Sequence, residues 1–81
     1  MTTHFKTFGV IGAGAWGTAI AQMLAREGQS VLLWALEPEV AGAINTAREN
    51  TVFLKGVTLK PQIRATNRLE ELGNADSLFA V

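Results

Sequence analysis

A glycine-rich turn near the start of the chain constrains its fold more than any other feature. The segment Gly12-Ala13-Gly14-Ala15-Trp16-Gly17 follows an apolar run, residues 8–11, and precedes a helical pattern, residues 18–27. A strand, a turn with glycine at its first, third and sixth positions, and a helix together make the first half of a βαβ unit. The chain is therefore expected to begin with such a unit.

Each glycine of the turn has a distinct predicted role. Gly12 permits the tight turn after the strand, Gly14 lets the backbone approach a phosphate, and Gly17 lets the helix pack closely on the sheet. The helix N-terminus then offers free N–H groups and a partial positive charge to a diphosphate. The turn has no lysine, which argues against a P-loop. A turn built only for tight packing is the alternative interpretation.

Glu37 indicates that the diphosphate belongs to a dinucleotide. This residue stands twenty residues after Gly17, at the end of a second apolar run. An acidic residue there accepts hydrogen bonds from the adenosine ribose hydroxyls. It also repels a 2′-phosphate, at a cost of roughly 4 kcal/mol for charges about 4 Å apart at an effective dielectric near 20. We therefore expect NAD to be preferred over NADP. The alternative, that Glu37 only caps the next helix, is compatible with this role.

Composition excludes several classes of function. The 81 residues suffice for at most one domain, and the net charge of zero, without basic runs, argues against nucleic acid or an anionic membrane as a partner. No cysteine is present, and His4, the single histidine, has no carboxylate pattern around it, so we expect no metal site. No signal peptide or apolar run of about 20 residues is visible, so we expect a soluble, cytoplasmic protein.

Apolar periodicity predicts alternating strands and helices. The predicted strands are residues 5–11, 30–35, 61–66 and 77–81, and the predicted helices are 15–27, 38 to about 49, and a short one at 68–72. Gly28 is expected to end the first helix in a left-handed conformation, and Asn50 to end the second. The third strand has few apolar residues and is expected near a sheet edge.

This order, β-α-β-α-β-(α)-β, predicts an α/β fold: a partial Rossmann-like parallel sheet, truncated at strand four. Residues 1–81 would then be the amino-terminal part of a dinucleotide-binding domain and a fragment, or a truncated product, of a longer enzyme. An open apolar strand at the edge favours pairing with another strand. We therefore expect a tendency to self-associate or aggregate, and a homo-oligomeric protein.

One face of the first helix is expected to be buried: Trp16, Ala19, Ile20, Met23 and Leu24.

The aromatic residues and the end of the second helix each allow more than one interpretation. For Trp16 and Trp34, packing in the core is favoured over a place beside the nucleotide, and Phe53 either covers the cofactor or anchors its loop. Arg48 is interpreted first as a cation at the negative helix end and second as a residue that orients the following loop. No acid, base or nucleophile is arranged for catalysis.

The segment Val10 to Ala19 resembles the opening of the bacterial-type NAD(P)-dependent glycerol-3-phosphate dehydrogenases. The resemblance covers nearly all of this chain, but only about the first quarter of the length of the family's members. Its more specific parts are the tryptophan inside the glycine turn and the Asn-x-x-Arg-x-Asn segment. Further matching positions are Leu33-Trp34-Ala35, Ile44-Asn45, Arg48-Glu49-Asn50, Phe53-Leu54, Gly56, Ile63, Ala65-Thr66 and Leu69.

The resemblance implies a reaction and a set of cofactor contacts. The family interconverts dihydroxyacetone phosphate and sn-glycerol 3-phosphate with a nicotinamide dinucleotide, for glycerophospholipid synthesis. By position, Ala15 and Trp16 would lie at the pyrophosphate turn, and Phe53 near the cofactor. Leu36 and Glu37 stand where many members have basic residues for a 2′-phosphate, which disfavours NADP.

The resemblance also implies what this chain does not do alone. Lys55 replaces the proline that usually precedes Gly56, so this loop is expected to be less rigid. The family's catalytic lysines and helical substrate domain would follow Val81, so the chain alone is expected to be inactive, and its phosphate substrates to bind only in a full-length enzyme. The alternatives are a segment of another reductase, of the ketopantoate reductase or hydroxyacyl dehydrogenase type, and a non-catalytic nucleotide-binding module.

Overall fold

The computed structural model of the chain describes residues 7–80 and contains an α/β fold. Phe5 and Lys6 of the predicted first strand, Val81 of the predicted fourth strand, and His4 lie outside the described residues. The elements in chain order are β1 (Thr7–Ile11), α1 (Ala15–Arg26), β2 (Ser30–Trp34), α2 (Pro38–Ala47), β3 (Ile63–Thr66), a 3-10 helix (Leu69–Asn74) and β4 (Ser77–Ala80).

The strands form one parallel sheet in the order β3-β2-β1-β4. Val10 of β1 is paired with Leu33 of β2 and with Phe79 of β4. This is the start of the doubly wound order, in which ligands bind at the carboxyl ends of the strands. The predicted fold class and the edge position of β3 are confirmed. Because all strands run the same way, the turn after β1 lies at the same sheet edge as the segment after β2.

The core lies between the sheet and the two α-helices. Val10, Leu33 and Ile63 come from three neighbouring strands, and Val40 and Ile44 come from α2; each is at most 1 % exposed. Alternate strand residues point to the same face, which explains why Val31, Leu33 and Ala35 all join this core. The glycine turn is therefore attached to the best-packed part of the described chain.

Helix α1 buries a different face from the one predicted. Trp16 is 79 % exposed and Met23 59 % exposed, while Ile20 and Leu24 are only partly buried. The buried face consists of Gly17, Thr18, Ala21, Gln22 and Ala25. Close approach of the helix to the sheet leaves room for small side chains, so the larger apolar side chains are displaced to the other face. The predicted stripe is wrong for this reason.

A glycine ends α1 as predicted. Gly28 has φ of +88°, and its N–H donates to Ala25 O at 3.0 Å. The N–H of Gln29 donates to Leu24 O at 3.2 Å. These two bonds form a Schellman motif, which satisfies carbonyl groups at the helix end and favours glycine at the left-handed position.

Helix α2 ends earlier than predicted, at Ala47, because Arg48 adopts the left-handed conformation with φ of 57°. Asn50 therefore does not end the helix, and residues 48–62 form a long connection to β3. The short helix predicted at 68–72 is a 3-10 helix that starts at Leu69 and continues through Gly73 to Asn74.

Within residues 7–80, no helix is long and apolar enough to cross a membrane. The same residues contain no group of three or more histidine, aspartate or glutamate side chains placed to hold a metal ion.

Candidate cofactor-binding site

The turn between β1 and α1 depends on glycine at two positions. Gly12 has φ of +116°, which disfavours any residue with a side chain, and its N–H donates to Trp34 O at 3.1 Å. An ideal Cβ at Gly17 would lie 1.7 Å from the carbonyl oxygen of Gly12. Two turns of backbone that approach this closely leave no space for a methyl group, so Gly17 is required for packing.

Gly14 differs from the other two glycines, because its packing does not require glycine. It is the N-cap residue of α1, with an extended φ of −75°, and a Cβ placed there would meet nothing within 4 Å. Gly14 nevertheless lines a small cavity of about 200 Å³ together with Gly12, Ala15, Trp16 and Gly17. The open space beside Gly14 is thus part of a concave surface at the helix N-terminus.

The N-terminus of α1 leaves main-chain N–H groups available to a ligand. The N–H of Thr18 donates to Gly14 O at 3.0 Å and is the first to enter the helical pattern. The N-cap offers no side-chain acceptor for the preceding N–H groups, and the first turn has no acidic residue. Unpaired N–H groups and the helix dipole attract an anion, so the turn suits a diphosphate.

Leu36 and Glu37 follow β2 at the same edge of the sheet as the glycine turn. The bond from Gly12 N–H to Trp34 O ties the end of β2 to the turn. Leu36 is 71 % exposed, and Glu37 is half-buried at the N-cap of α2. The Glu37 side chain makes no capping hydrogen bond with the described residues, and its carbonyl group accepts the N–H groups of Val40 and Ala41 instead. The carboxylate is thus available to a ligand.

The aromatic residues divide between surface and interior. Trp16 is exposed at the cavity, so the expectation that it packs in the core is wrong: its place in the turn directs it away from the sheet face of α1. Trp34 is half-buried in β2. Phe53 is 42 % exposed on the segment that follows Asn50.

Asn50 is the site residue that sequence reasoning missed. Its side chain is fully buried, and its Nδ2 donates to Ala13 O and to Thr18 Oγ1, both at 2.8 Å. Its Oδ1 accepts the N–H of Phe53 at 3.0 Å. One amide therefore joins the glycine turn, helix α1 and the segment that carries Phe53. The Asn-x-x-Arg-x-Asn segment was the available signal, but it gave no partner for Asn50.

Arg48 fixes the connection between α2 and β3, and Asn45 fixes α2 itself against β3. The Arg48 guanidinium donates through Nη2 to Ile63 O at 2.6 Å and also to Lys60 O. Asn45 forms a two-way amide contact with Ala65, donating to its carbonyl and accepting its N–H, each at 2.8 Å. The second interpretation of Arg48, as a residue that orients the following loop, agrees with these bonds.

The chain matches a protein-family model, described as the N-terminus of NAD-dependent glycerol-3-phosphate dehydrogenase, over residues 7–81. This chain belongs to that family. Among its relatives, glycerol-3-phosphate dehydrogenase [NAD(P)+] of Hyphomonas neptunium is 85 % identical over all 81 residues, and that of Parvibaculum lavamentivorans 49 % identical. The chain spans 24 % of the length of either relative.

Solved structures of glycerol-3-phosphate dehydrogenases have the same fold over this segment. The enzyme from Coxiella burnetii superposes with a TM-score of 0.85 at 28 % identity, covering 94 % of this chain and 24 % of that one. The enzyme from Saccharomyces cerevisiae gives a TM-score of 0.84 at 30 % identity, covering 98 % of this chain and 26 % of that one. The suspected resemblance to glycerol-3-phosphate dehydrogenases is confirmed, and the other reductase types are not favoured.

Proposed function

We propose that this chain binds the pyrophosphate of a nicotinamide dinucleotide at the turn from Gly12 to Gly17, as the amino-terminal part of a glycerol-3-phosphate dehydrogenase. The supporting observation is the combination of free N–H groups at the start of α1 with the cavity that Gly14 and Trp16 line. Ala15 and Trp16 would contact the pyrophosphate, Glu37 and Leu36 the adenosine ribose, and Phe53 one side of the cofactor.

The described residues fit such a cofactor. A methyl group at Gly14 would fill space that is now open, and a side chain at Gly17 has no space at all, so the turn is shaped for close approach to its backbone. In a full-length enzyme the reduced dinucleotide would donate a hydride to dihydroxyacetone phosphate, and in the reverse direction the oxidised dinucleotide would accept one from sn-glycerol 3-phosphate. This chain's share would be to orient the cofactor by main-chain N–H groups, without a catalytic acid or base of its own.

Several wider features of the proposal come from the family. The reaction would take place in the cytoplasm and supply glycerophospholipid synthesis, with the catalytic residues on a further domain. The exposed side chains of Leu78 and Phe79 on the edge strand β4 support a homo-oligomer or another form of strand pairing.

Sedimentation of the purified chain is expected to show species larger than a monomer. A monomer at every protein concentration would contradict the proposed homo-oligomer.

The first experiment is a titration of the purified chain with NADH, followed by tryptophan fluorescence. Since Trp16 is exposed at the cavity, NADH bound there should quench its emission in a saturable way. A Trp34→Phe variant removes the signal from the other tryptophan and should retain the quenching. Absence of saturable quenching in both proteins would contradict binding at the turn.

Glu37 is expected to determine the preference between the two cofactors. In the Glu37→Arg variant, attraction for the 2′-phosphate replaces repulsion, so the ratio of NADPH to NADH affinity should rise by at least about tenfold, or 1.4 kcal/mol. Glu37 is half-buried, and solvent screening reduces the effect below the full Coulomb value. Isothermal titration with each cofactor measures the ratio.

Glu39→Arg provides the matched control, because it makes the same change of charge on an exposed residue in the first turn of α2. It should move the ratio much less than Glu37→Arg. Equal shifts in the two variants would assign the effect to net charge, and the contact between Glu37 and the ribose would then be wrong.

A further inference from the structure

We infer that Asn50 is a positioning residue for cofactor binding: its amide orients the peptide group between Ala13 and Gly14 so that the Gly14 N–H faces the pyrophosphate. This inference deepens the proposed function and rests on it. It is carried by the hydrogen bonds of a single buried side chain.

Asn50 holds the peptide group between Ala13 and Gly14 in one orientation. Asn50 Nδ2 donates to Ala13 O at 2.8 Å, which fixes the direction of that carbonyl group. In a trans peptide the C=O and the following N–H point in opposite directions, and the described chain contains no cis peptide bond. Since Asn50 is fully buried, the N–H of Gly14 must point away from the interior, on the side of the cavity that Gly14 lines.

The hydrogen-bonding partners of Asn50 require an amide side chain and not a carboxylate. Both N–H bonds of Asn50 Nδ2 are used, one toward Ala13 O and the other toward Thr18 Oγ1, which is also fully buried. Asn50 Oδ1 accepts from Phe53 N–H. An aspartate has the same shape and keeps the acceptor, but it cannot donate when ionised and would place a carboxylate against two oxygen atoms. The site therefore requires the amide.

The Asn50 amide joins two segments that are far apart in the sequence. The same side chain holds two parts of the proposed cofactor site, the glycine turn and the segment that bears Phe53. A displaced Asn50 amide would misalign the Gly14 N–H and leave Glu37 in place, because none of the hydrogen bonds of Asn50 involves Glu37. Loss of Asn50 should therefore weaken ligands that carry the pyrophosphate much more than ligands that lack it.

The test compares the affinities of ADP-ribose and adenosine for the wild-type chain and for Asn50→Asp and Asn50→Ala variants, by isothermal titration. In both variants ADP-ribose affinity should fall by at least about tenfold, as expected for a lost hydrogen bond to a charged group, while adenosine affinity stays within about twofold. Asn45→Asp is the matched control, because Asn45 makes an equally well-formed amide contact, to Ala65 of β3. It should leave the affinity ratio of the two ligands unchanged.

The outcomes separate this inference from the proposed function. If the wild-type chain binds no ADP-ribose, the proposed function fails and this inference fails with it. If the wild type binds but the Asn50 variants bind equally well, or lose both ligands in parallel, only the positioning role is overturned.

If both Asn50 variants fail to fold, NMR of the wild-type chain tests the positioning role of Asn50 instead. A scalar coupling across the bond from Asn50 Nδ2 to the Ala13 carbonyl carbon, with a downfield shift of the Gly14 amide proton on adding ADP-ribose, supports the inference. An unshifted Gly14 amide proton in the presence of bound ADP-ribose overturns it.

Discussion

Replacing Gly17 by alanine is expected to prevent stable folding of this chain. The new Cβ would lie 1.7 Å from Gly12 O and 2.9 Å from Gly12 C, and backbone atoms can move apart only if α1 shifts off the sheet. Overpacking of this kind should lower the free energy of unfolding by more than about 3 kcal/mol, a large part of the stability of a small domain. Urea denaturation followed by circular dichroism measures the change.

Gly42→Ala is the control for Gly17→Ala. Gly42 lies in α2, is exposed, and has no atom within 4 Å of an added Cβ, so alanine there should raise the stability by up to about 1 kcal/mol through its higher helix propensity. A Gly17→Ala variant that unfolds at the same urea concentration as wild type would show that the close contact between the turn and α1 is wrong.

Replacing Gly14 by alanine is expected to have the opposite pattern: near-normal stability and weak binding. No atom lies within 4 Å of an added Cβ, and the backbone of Gly14 is in an ordinary extended conformation, so the free energy of unfolding should change by less than about 1 kcal/mol. The methyl group would occupy space beside the free N–H groups. Affinity for ADP-ribose should therefore fall by at least about thirtyfold, or about 2 kcal/mol.

Titration calorimetry and urea denaturation of the same Gly14→Ala preparation check both halves of this prediction. Gly73→Ala serves as the control, because Gly73 is also exposed and its added Cβ would meet nothing, but it lies in the 3-10 helix outside the candidate site. Unchanged ADP-ribose affinity in Gly14→Ala would place the pyrophosphate away from the turn.

The order of elements was predictable because it depends on patterns that are local in sequence. Continuous apolar runs mark parallel strands that are covered on both faces, and Gly28 marks a helix end by its need for a left-handed conformation. The spacing from Gly17 to Glu37 reflects helix α1, the turn after it and strand β2, so the pattern alone predicts that the glycine turn and Glu37 lie at the same end of the sheet.

The buried face of α1 was not predictable from apolar spacing. Trp16, Ile20 and Met23 make a convincing stripe, but a helix that approaches a sheet at a glycine contact buries its smallest side chains. Gln22 is buried there because its amide donates to Thr58 O at 3.0 Å and accepts Lys60 N–H at 2.9 Å, contacts that span more than thirty residues. Such partners appear only in three dimensions.

The role of Asn50 escaped prediction for the same reason. Its partners Ala13 and Thr18 lie 37 and 32 residues away along the chain, and an asparagine after a helix is ordinarily interpreted as a helix end. The helix in fact ends at Ala47, because Arg48 after it has a positive φ that could not be inferred for a residue with a long side chain.

The most direct test of the whole account is an NMR titration of the isotope-labelled chain with ADP-ribose. We expect the largest amide shifts between Gly12 and Gly17, with further shifts at Leu36 and Glu37, because main-chain N–H groups at the start of α1 would bind the pyrophosphate. Shifts confined to the opposite sheet edge, around Thr7, Ser30 and Gln62, or no saturable shifts at all, would contradict it.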